Sequence, residues 1–266
     1  MTVPGHALAP REPAPGVHLE VIVSSARDAE AAQEGGADRL ELVSAAERGG
    51  LTPDAATLRE VLRSTDLEVR VMLRAGELHD AAPGVADRLA RDADELLAAG
   101  ATAFVAGLVG PGGTVTPEAF GRLAPVLSAH PWTFHRALDE CPELVAGVDA
   151  ALAIPGCDGV LVSGDRHGLD RGLGRVLRLL RERPLARRFA IIGGGLRHRH
   201  LGAVLSAGAT QLHCGRWVRG TTTWDSPVDA TLVRSVRQAA TVLLEGAVTS
   251  RATPVGLPAL APGEAV

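Results

Sequence analysis

Ionisable side chains are expensive to bury unless they are paired or used, so charges set inside short apolar runs mark where this chain could do chemistry. Glu20 lies within the run 17–24 and Glu41 within 39–43. Arg74 ends the run 68–74, and His135 and Arg136 end 132–136, with Asp139 just after them. Ser163 ends 159–163, Gly193, Gly194 and Gly195 close the run 188–193 and follow it, and His213 ends 210–213. An imidazole titrates near neutrality and can act as general acid or base. Two guanidinium groups could clamp an anion or stabilise an enolate-like charge. The glutamates could bind hydroxyls, orient an imidazole, or hold a divalent metal together with a histidine.

Glu20 and Glu41 need partners, and Arg74 and Arg136 are the expected ones, because guanidinium pairs bidentately with carboxylate. Two readings stay open. The set is either an ion-pair network that plugs a core, or a pocket converging on one small-molecule or metal ligand. Six ionisable groups from five strands exceed what one buried pair needs, which favours the pocket. Gly193–Gly195 could offer backbone amides to a phosphate; the plain alternative is a tight turn that requires glycine. In Arg197-His198-Arg199-His200 the imidazoles are two residues apart, so on a helix they diverge, and a solvated surface is expected. Cys141 and Cys214 lie near strand ends, where a soft-metal role would require thiols from different strands to meet. Cys157 reads as a small residue buried in a turn.

Something must bring these groups together. Eight short apolar runs alternate with helical patterns such as 53–63 and 84–99. The runs are 17–24, 39–43, 68–74, 103–106, 132–136, 159–163, 188–193 and 210–213, mostly apolar throughout, as parallel strands buried on both faces are. Thr52 before Pro53 reads as a helix cap with proline at the first helical position. A glycine-turn-strand pattern recurs before the second, fourth, sixth and eighth runs, around Gly36, Gly100, Gly156 and Gly208. That echo fits a single-domain α/β TIM (β/α)₈ barrel over 17–247, with a doubly wound open sheet as the alternative. In such a barrel the C-terminal strand ends carry the chemistry. The last pattern, 227–245, has one apolar face, suited to closing the barrel or meeting a partner subunit. Proline-rich stretches 1–16 and 248–266 read as flexible tails.

Composition removes several classes of function. All 27 basic residues are arginine, so no lysine is available for a Schiff base, which excludes class I aldolase and the usual pyridoxal-phosphate mechanisms. A P-loop lysine is excluded for the same reason. A net charge of −4 and 3% aromatics argue against a nucleic-acid partner. No run approaches the roughly 20 apolar residues of a membrane span, and the start lacks the basic-then-apolar order of a signal peptide. Three cysteines without a CxxC pair fit a reduced, cytoplasmic protein.

Three motifs carry a family resemblance. They are Gly36-Ala-Asp-Arg-Leu-Glu-Leu42 followed by Gly49-Gly-Leu-Thr-Pro53; Thr133-Phe-His-Arg-Ala137 with Asp139; and Val162-Ser-Gly164, Ile192-Gly-Gly-Gly195 and Leu212-His213. In order and spacing the chain resembles the CutC family, named for copper homeostasis, over about 18–216. The resemblance implies a TIM barrel, a cytoplasmic location, a homodimer or higher homo-oligomer, and copper as ligand. It marks Glu20, Glu41, Arg74, His135, Arg136, Asp139, Ser163 and His213 as the pocket. Two departures stand out. The loop after Arg74 reads Ala-Gly-Glu-Leu-His-Asp80, where relatives have a second arginine and an Asp-Phe pair. Strand one holds Val21-Ile22-Val23-Ser24 where many relatives have cysteine, so Cys141 alone matches a thiol proposed to hold copper.

Overall fold

The computed structural model describes residues 16–252 except Leu78 and Asp80, with side chains described as far as Gly246. The predicted tail 1–16 lies outside these residues apart from Gly16, and of the stretch 248–266 only the backbone to Ala252 is described. Eight parallel strands close on themselves in chain order. They are β1 (His18–Val23), β2 (Arg39–Leu42), β3 (Glu68–Met72), β4 (Ala103–Ala106), β5 (Trp132–Phe134), β6 (Cys157–Val162), β7 (Ala190–Ile192) and β8 (Gln211–Cys214). Around them run α1 (Ala26–Glu34), α2 (Ala55–Ser64), α3 (Val85–Ala98), α4 (Ala124–Ser128), α5 (Leu144–Leu152), α6 (Leu169–Glu182), α7 (Ala186–Phe189), α8 (His198–Ser206) and α9 (Ala230–Ala252). The expected TIM barrel is therefore present, and the open sheet is not.

The strand alternation divides the apolar residues into two cores. Outward positions such as Leu19, Val21, Leu40, Leu42, Val160 and Leu212 join the helices in one large cluster. Inward positions form a small second cluster of Val43, Ala46, Met72 and Val105, with Ile22 and Trp224 packed against it. Leu161 and Ile191 also lie inside the barrel, among polar groups. Arg70 donates to Thr133 Oγ1 at 2.7 Å and to both oxygens of Asp158, which satisfies its buried guanidinium beneath the site.

Several boundaries differ from expectation. The helix after Thr52 begins at Ala55, capped by Asp54, whose carboxylate accepts the Thr57 N–H. Thr52 is turned inward: its Oγ1 donates to Arg74 O and accepts from Arg74 N, so its hydroxyl stitches two loops together. Residues 188–189 belong to the one-turn helix α7, and β7 begins only at Ala190. Cys157 opens β6 rather than sitting in a turn, and it is half-buried. The last helix starts at Ala230, runs past 247 to Ala252 and packs on α1 and α8, so its apolar face closes the barrel.

One close approach sets the position of a strand end. A Cβ on Gly172 of α6 would fall 1.9 Å from Ser163 O, and one on Gly164 would fall 2.3 Å from Gly172 O. The helix thus touches the backbone that ends β6. Gly172→Ala is expected to destabilise the fold by about 1–3 kcal/mol through overpacking. Urea unfolding of the variant checks this; an unchanged midpoint would show that α6 can shift freely.

Candidate functional site

The functional side chains converge because parallel strands of a barrel point the same way and end at one face. A cavity of about 1050 Å³ opens there, with Glu41, Arg74, His135, Arg136, Gly194 and His213 in its wall. Its deepest acid–base group is built across β8, β1 and β2. His213 Nδ1 lies 2.7 Å from Glu20 Oε1, and His213 Nε2 lies 3.8 Å from Glu41 Oε2. Glu20 is fixed in turn by Arg39, whose Nε donates to Oε2 at 2.5 Å. The register explains this, since Glu20 is the Cα partner of both Arg39 and His213. Glu41 Oε1 is buried with no hydrogen-bond partner among the described residues.

Electrostatics separates the two carboxylates. Burial opposes charge on Glu20, but Arg39 and His213 outweigh it and hold its pKa far below the usual carboxylate range. Burial pushes Glu41 up to about 7; His213 opposes the rise and Glu20 reinforces it. Burial also opposes charge on His213, but Glu41 and Glu20 prevail and raise its pKa. The arrangement is one locked anion, one imidazole anchored through Nδ1, and one carboxyl poised near neutrality. It can relay a proton through Nε2 or present nitrogen and oxygen to a divalent ion.

The expected pairing of Glu20 and Glu41 with Arg74 and Arg136 is corrected. Glu20 pairs with Arg39. Arg74 donates to three carbonyls instead, those of Gly49, Gly50 and Glu77. Arg136 bonds Asp139 at 3.0 Å. Arg39 alternates with Glu41 on β2 and so faces the same side, and the register sets it level with Glu20.

The other candidates fall on the rim. His135 is not in β5; it caps the one-turn 3-10 helix Arg136–Glu140, its Nδ1 accepting the Ala137 N–H at 3.2 Å. Burial, reinforced by His79, Arg74 and Arg136, keeps its pKa well below the ordinary histidine value. His79 packs against it, ring centroids 4.9 Å apart, and holds Glu140 at 2.5 Å. Both belong to this wall, although neither stood out in the sequence. Asp139 is wholly enclosed: Oδ1 accepts from Ser163 N and Gly164 N, and Oδ2 from Ser163 Oγ and Arg136 Nε. It positions the ends of β5 and β6. A Cβ on Gly194 would fall 2.6 Å from Arg136 Nε, and one on Gly193 would fall 2.8 Å from His213 Cδ2, so glycine lets this turn lie against the site. Gly193 N–H is used by Val162 O and Gly194 O by Leu169 N, while Gly195 lies in the cavity wall.

His200 corrects the expectation of a solvated Arg-His-Arg-His surface. It is buried, accepts from Arg197 N through Nδ1 and meets Asp170 through Nε2 at 2.8 Å, which ties α8 to α6. The thiols do not gather. Cys141 and Cys214 are buried, and burial raises both pKa values, that of Cys214 to about 12. Among the described residues, the group that could hold a metal ion is Glu20, Glu41 and His213, with no sulfur in it.

With this geometry in view, the CutC family profile matches residues 17–218, which is nearly the whole barrel. The chain belongs to the CutC family. A human copper homeostasis protein cutC homolog is 35% identical over 209 residues, covering 75% of this chain and 73% of that one. A CutC family protein from Bacteroides fragilis is 31% identical over 186 residues, covering 69% of this chain and 73% of its own. The crystal structure of CutC from Streptococcus agalactiae superposes with a TM-score of 0.66 at 21% identity, covering 75% of this chain and 98% of that one, and shows the shared fold. In this CutC chain no described helix is long and apolar enough to cross a membrane.

Proposed function

We propose that this CutC chain serves copper homeostasis, the role for which its relatives are named, by binding the divalent ion as cargo in the strand-end cavity. His213 Nε2 and a Glu41 oxygen would be its protein ligands. One observation carries the reading: Glu20 engages His213 Nδ1, which leaves Nε2 facing a glutamate whose second oxygen has no partner. A carboxylate behind a histidine in this way fixes the ring and raises its basicity toward a metal. Nitrogen and oxygen donors suit Cu(II), whereas Cu(I) favours thiolates. The free, scattered thiols of buried Cys141 and Cys214 and half-buried Cys157 do not fit the monovalent ion. Three unpaired thiols accord with work in the reducing cytoplasm. We take the acting form to be a homodimer or higher homo-oligomer.

Isothermal titration with Cu(II) tests the reading. His213→Ala is expected to weaken binding by more than about 100-fold, and Glu20→Gln, one step removed from the metal, by about 10–100-fold. Cys141→Ser is expected to leave it unchanged. Cu(II) binding that survives His213→Ala but fails in Cys141→Ser would overturn the assignment.

A second reading has its own observation. Glu41, with a free oxygen beside an anchored imidazole, is also built as a general base. On that reading the barrel is a lyase, isomerase or epimerase for a small sugar-like or phosphorylated substrate.

A further inference from the structure

Arg74 is a buried cation, 9% exposed, whose guanidinium bonds, among the described residues, only carbonyl oxygens: Gly49 at 2.7 Å, Gly50 at 3.3 Å and Glu77 at 2.6 Å. Carbonyls satisfy N–H groups but do not neutralise charge. Among the described residues no carboxylate is bonded to Arg74, and the Glu77 carboxylate is taken by Arg48. Among the same residues the Arg74 Nε–H is buried without a partner.

His135 repeats the pattern. It is 3% exposed, and its Nδ1 accepts a backbone N–H, so in the neutral ring the proton resides on Nε2. That Nε2 is likewise buried without a partner. Among the described residues, two orphan donors thus sit in one cavity wall beside Arg136, whose own guanidinium is paired with Asp139. Burial first and then the Arg136 guanidinium lower the pKa of Arg74, against the opposing pull of the Glu140, Glu77 and Glu41 carboxylates, none of which bonds it.

The wall as a whole has the same sign. Among the described residues, six arginines and four carboxylates line the cavity, on a chain whose formal net charge is −4. Two of the four carboxylates are already engaged, Glu140 by His79 and Asp170 by Arg199 and His200. Positive charge is concentrated here against the trend of the rest of the protein.

We infer that Arg74, His135 and Arg136 form an oxyanion subsite that takes the phosphate or carboxylate head of a small molecule. An anion neutralises Arg74, joins Asp139 in balancing Arg136, and accepts the hydrogen bonds that Arg74 Nε and the neutral His135 Nε2 have to give. Water could fill the hydrogen bonds but not the charge. The subsite lies on the β3 and β5 ends, whereas Glu41 and His213 belong to β2 and β8. The cavity therefore presents an anion-seeking wall and a carboxylate–imidazole wall to one ligand.

The test uses the full chain freed of metal, so failure of the Cu(II) assignment leaves it untouched. Inorganic phosphate and, separately, acetate are titrated at neutral pH and read by calorimetry and by ¹⁵N spectra of the histidine rings. Binding of either anion is expected; which one binds names the head group. Arg74→Gln is expected to weaken it by about 10-fold or more, the loss of one charge-assisted contact. Arg136→Gln, at a more exposed position, serves the same purpose if the first variant does not fold. Arg178→Gln, which removes the same charge from the outer face of α6, leaves the affinity unchanged. In the wild type the His135 Nε2–H resonance shifts while Nδ1 stays unprotonated. The inference is overturned if neither anion binds, if Arg74→Gln and Arg136→Gln both bind as well as wild type, or if the His135 resonances do not move.

Discussion

Asp139→Ala is expected to cost about 3–5 kcal/mol and to disable the Arg136 side of the cavity, because it removes one carboxylate that serves four donors. Its side chain is fully enclosed, so water does not replace it. Ser163 N and Gly164 N lose their acceptor at the end of β6, and Arg136 loses its anion. Asp139→Asn divides the effect. The amide oxygen can keep the two backbone N–H groups, but the NH₂ then faces Ser163 Oγ and Arg136 Nε, one of them a donor that cannot turn round. The asparagine variant should therefore retain more stability than the alanine variant while still releasing Arg136. Urea unfolding of the two proteins, with Cu(II) and phosphate titrations beside it, checks this ordering. Equal stabilities for the alanine variant and wild type would mean that the strand ends are held by the barrel alone.

The barrel was legible because its signal is local and repeated. Buried parallel strands read as apolar runs, and Gly36, Gly100, Gly156 and Gly208 adopt the positive φ that turns a helix into the next strand. The pairing inside the site was not legible, because it depends on register. Nothing along the chain says that Glu20 is level with Arg39 and His213 rather than with Arg74; the hydrogen-bonded rows decide it. His79 and Glu140 were missed for a related reason. They stand in separate loops, after β3 and at the end of the 3-10 helix after β5, and only the closed barrel makes them neighbours. His200 was misjudged because spacing alone gives divergence from His198, not which of the two faces inward; Asp170 on α6 gives His200 its buried partner.

The same register yields the second large effect, which concerns pH. Glu41→Gln is expected to stabilise the metal-free protein by on the order of 3 kcal/mol at pH 8, and by much less at pH 4. Burial pushes the Glu41 carboxyl up to about 7 in the fold, against 4.5 for an unperturbed group. Below pH 4.5 the group is protonated in both states and contributes nothing to the difference. Between 4.5 and 7 the unfolded chain gives up this proton while the folded chain keeps it, so wild-type stability declines as the pH rises. Above 7 the whole cost is in place, since the fold then carries an ionised carboxylate with Oε1 unpartnered. Glutamine has no such titration. Chemical unfolding of both proteins with a chelator present, at several pH values from 4 to 8, should show a gap that widens across that window. A gap independent of pH would mean that His213 stabilises the Glu41 anion as fully as water does. A widening gap would mean that the fold tolerates a costly, incompletely bonded carboxylate in the cavity wall. Destabilising groups of this kind persist where activity or binding depends on them. Cu(II), added without the chelator, should then narrow the gap at pH 8 by stabilising the wild type alone.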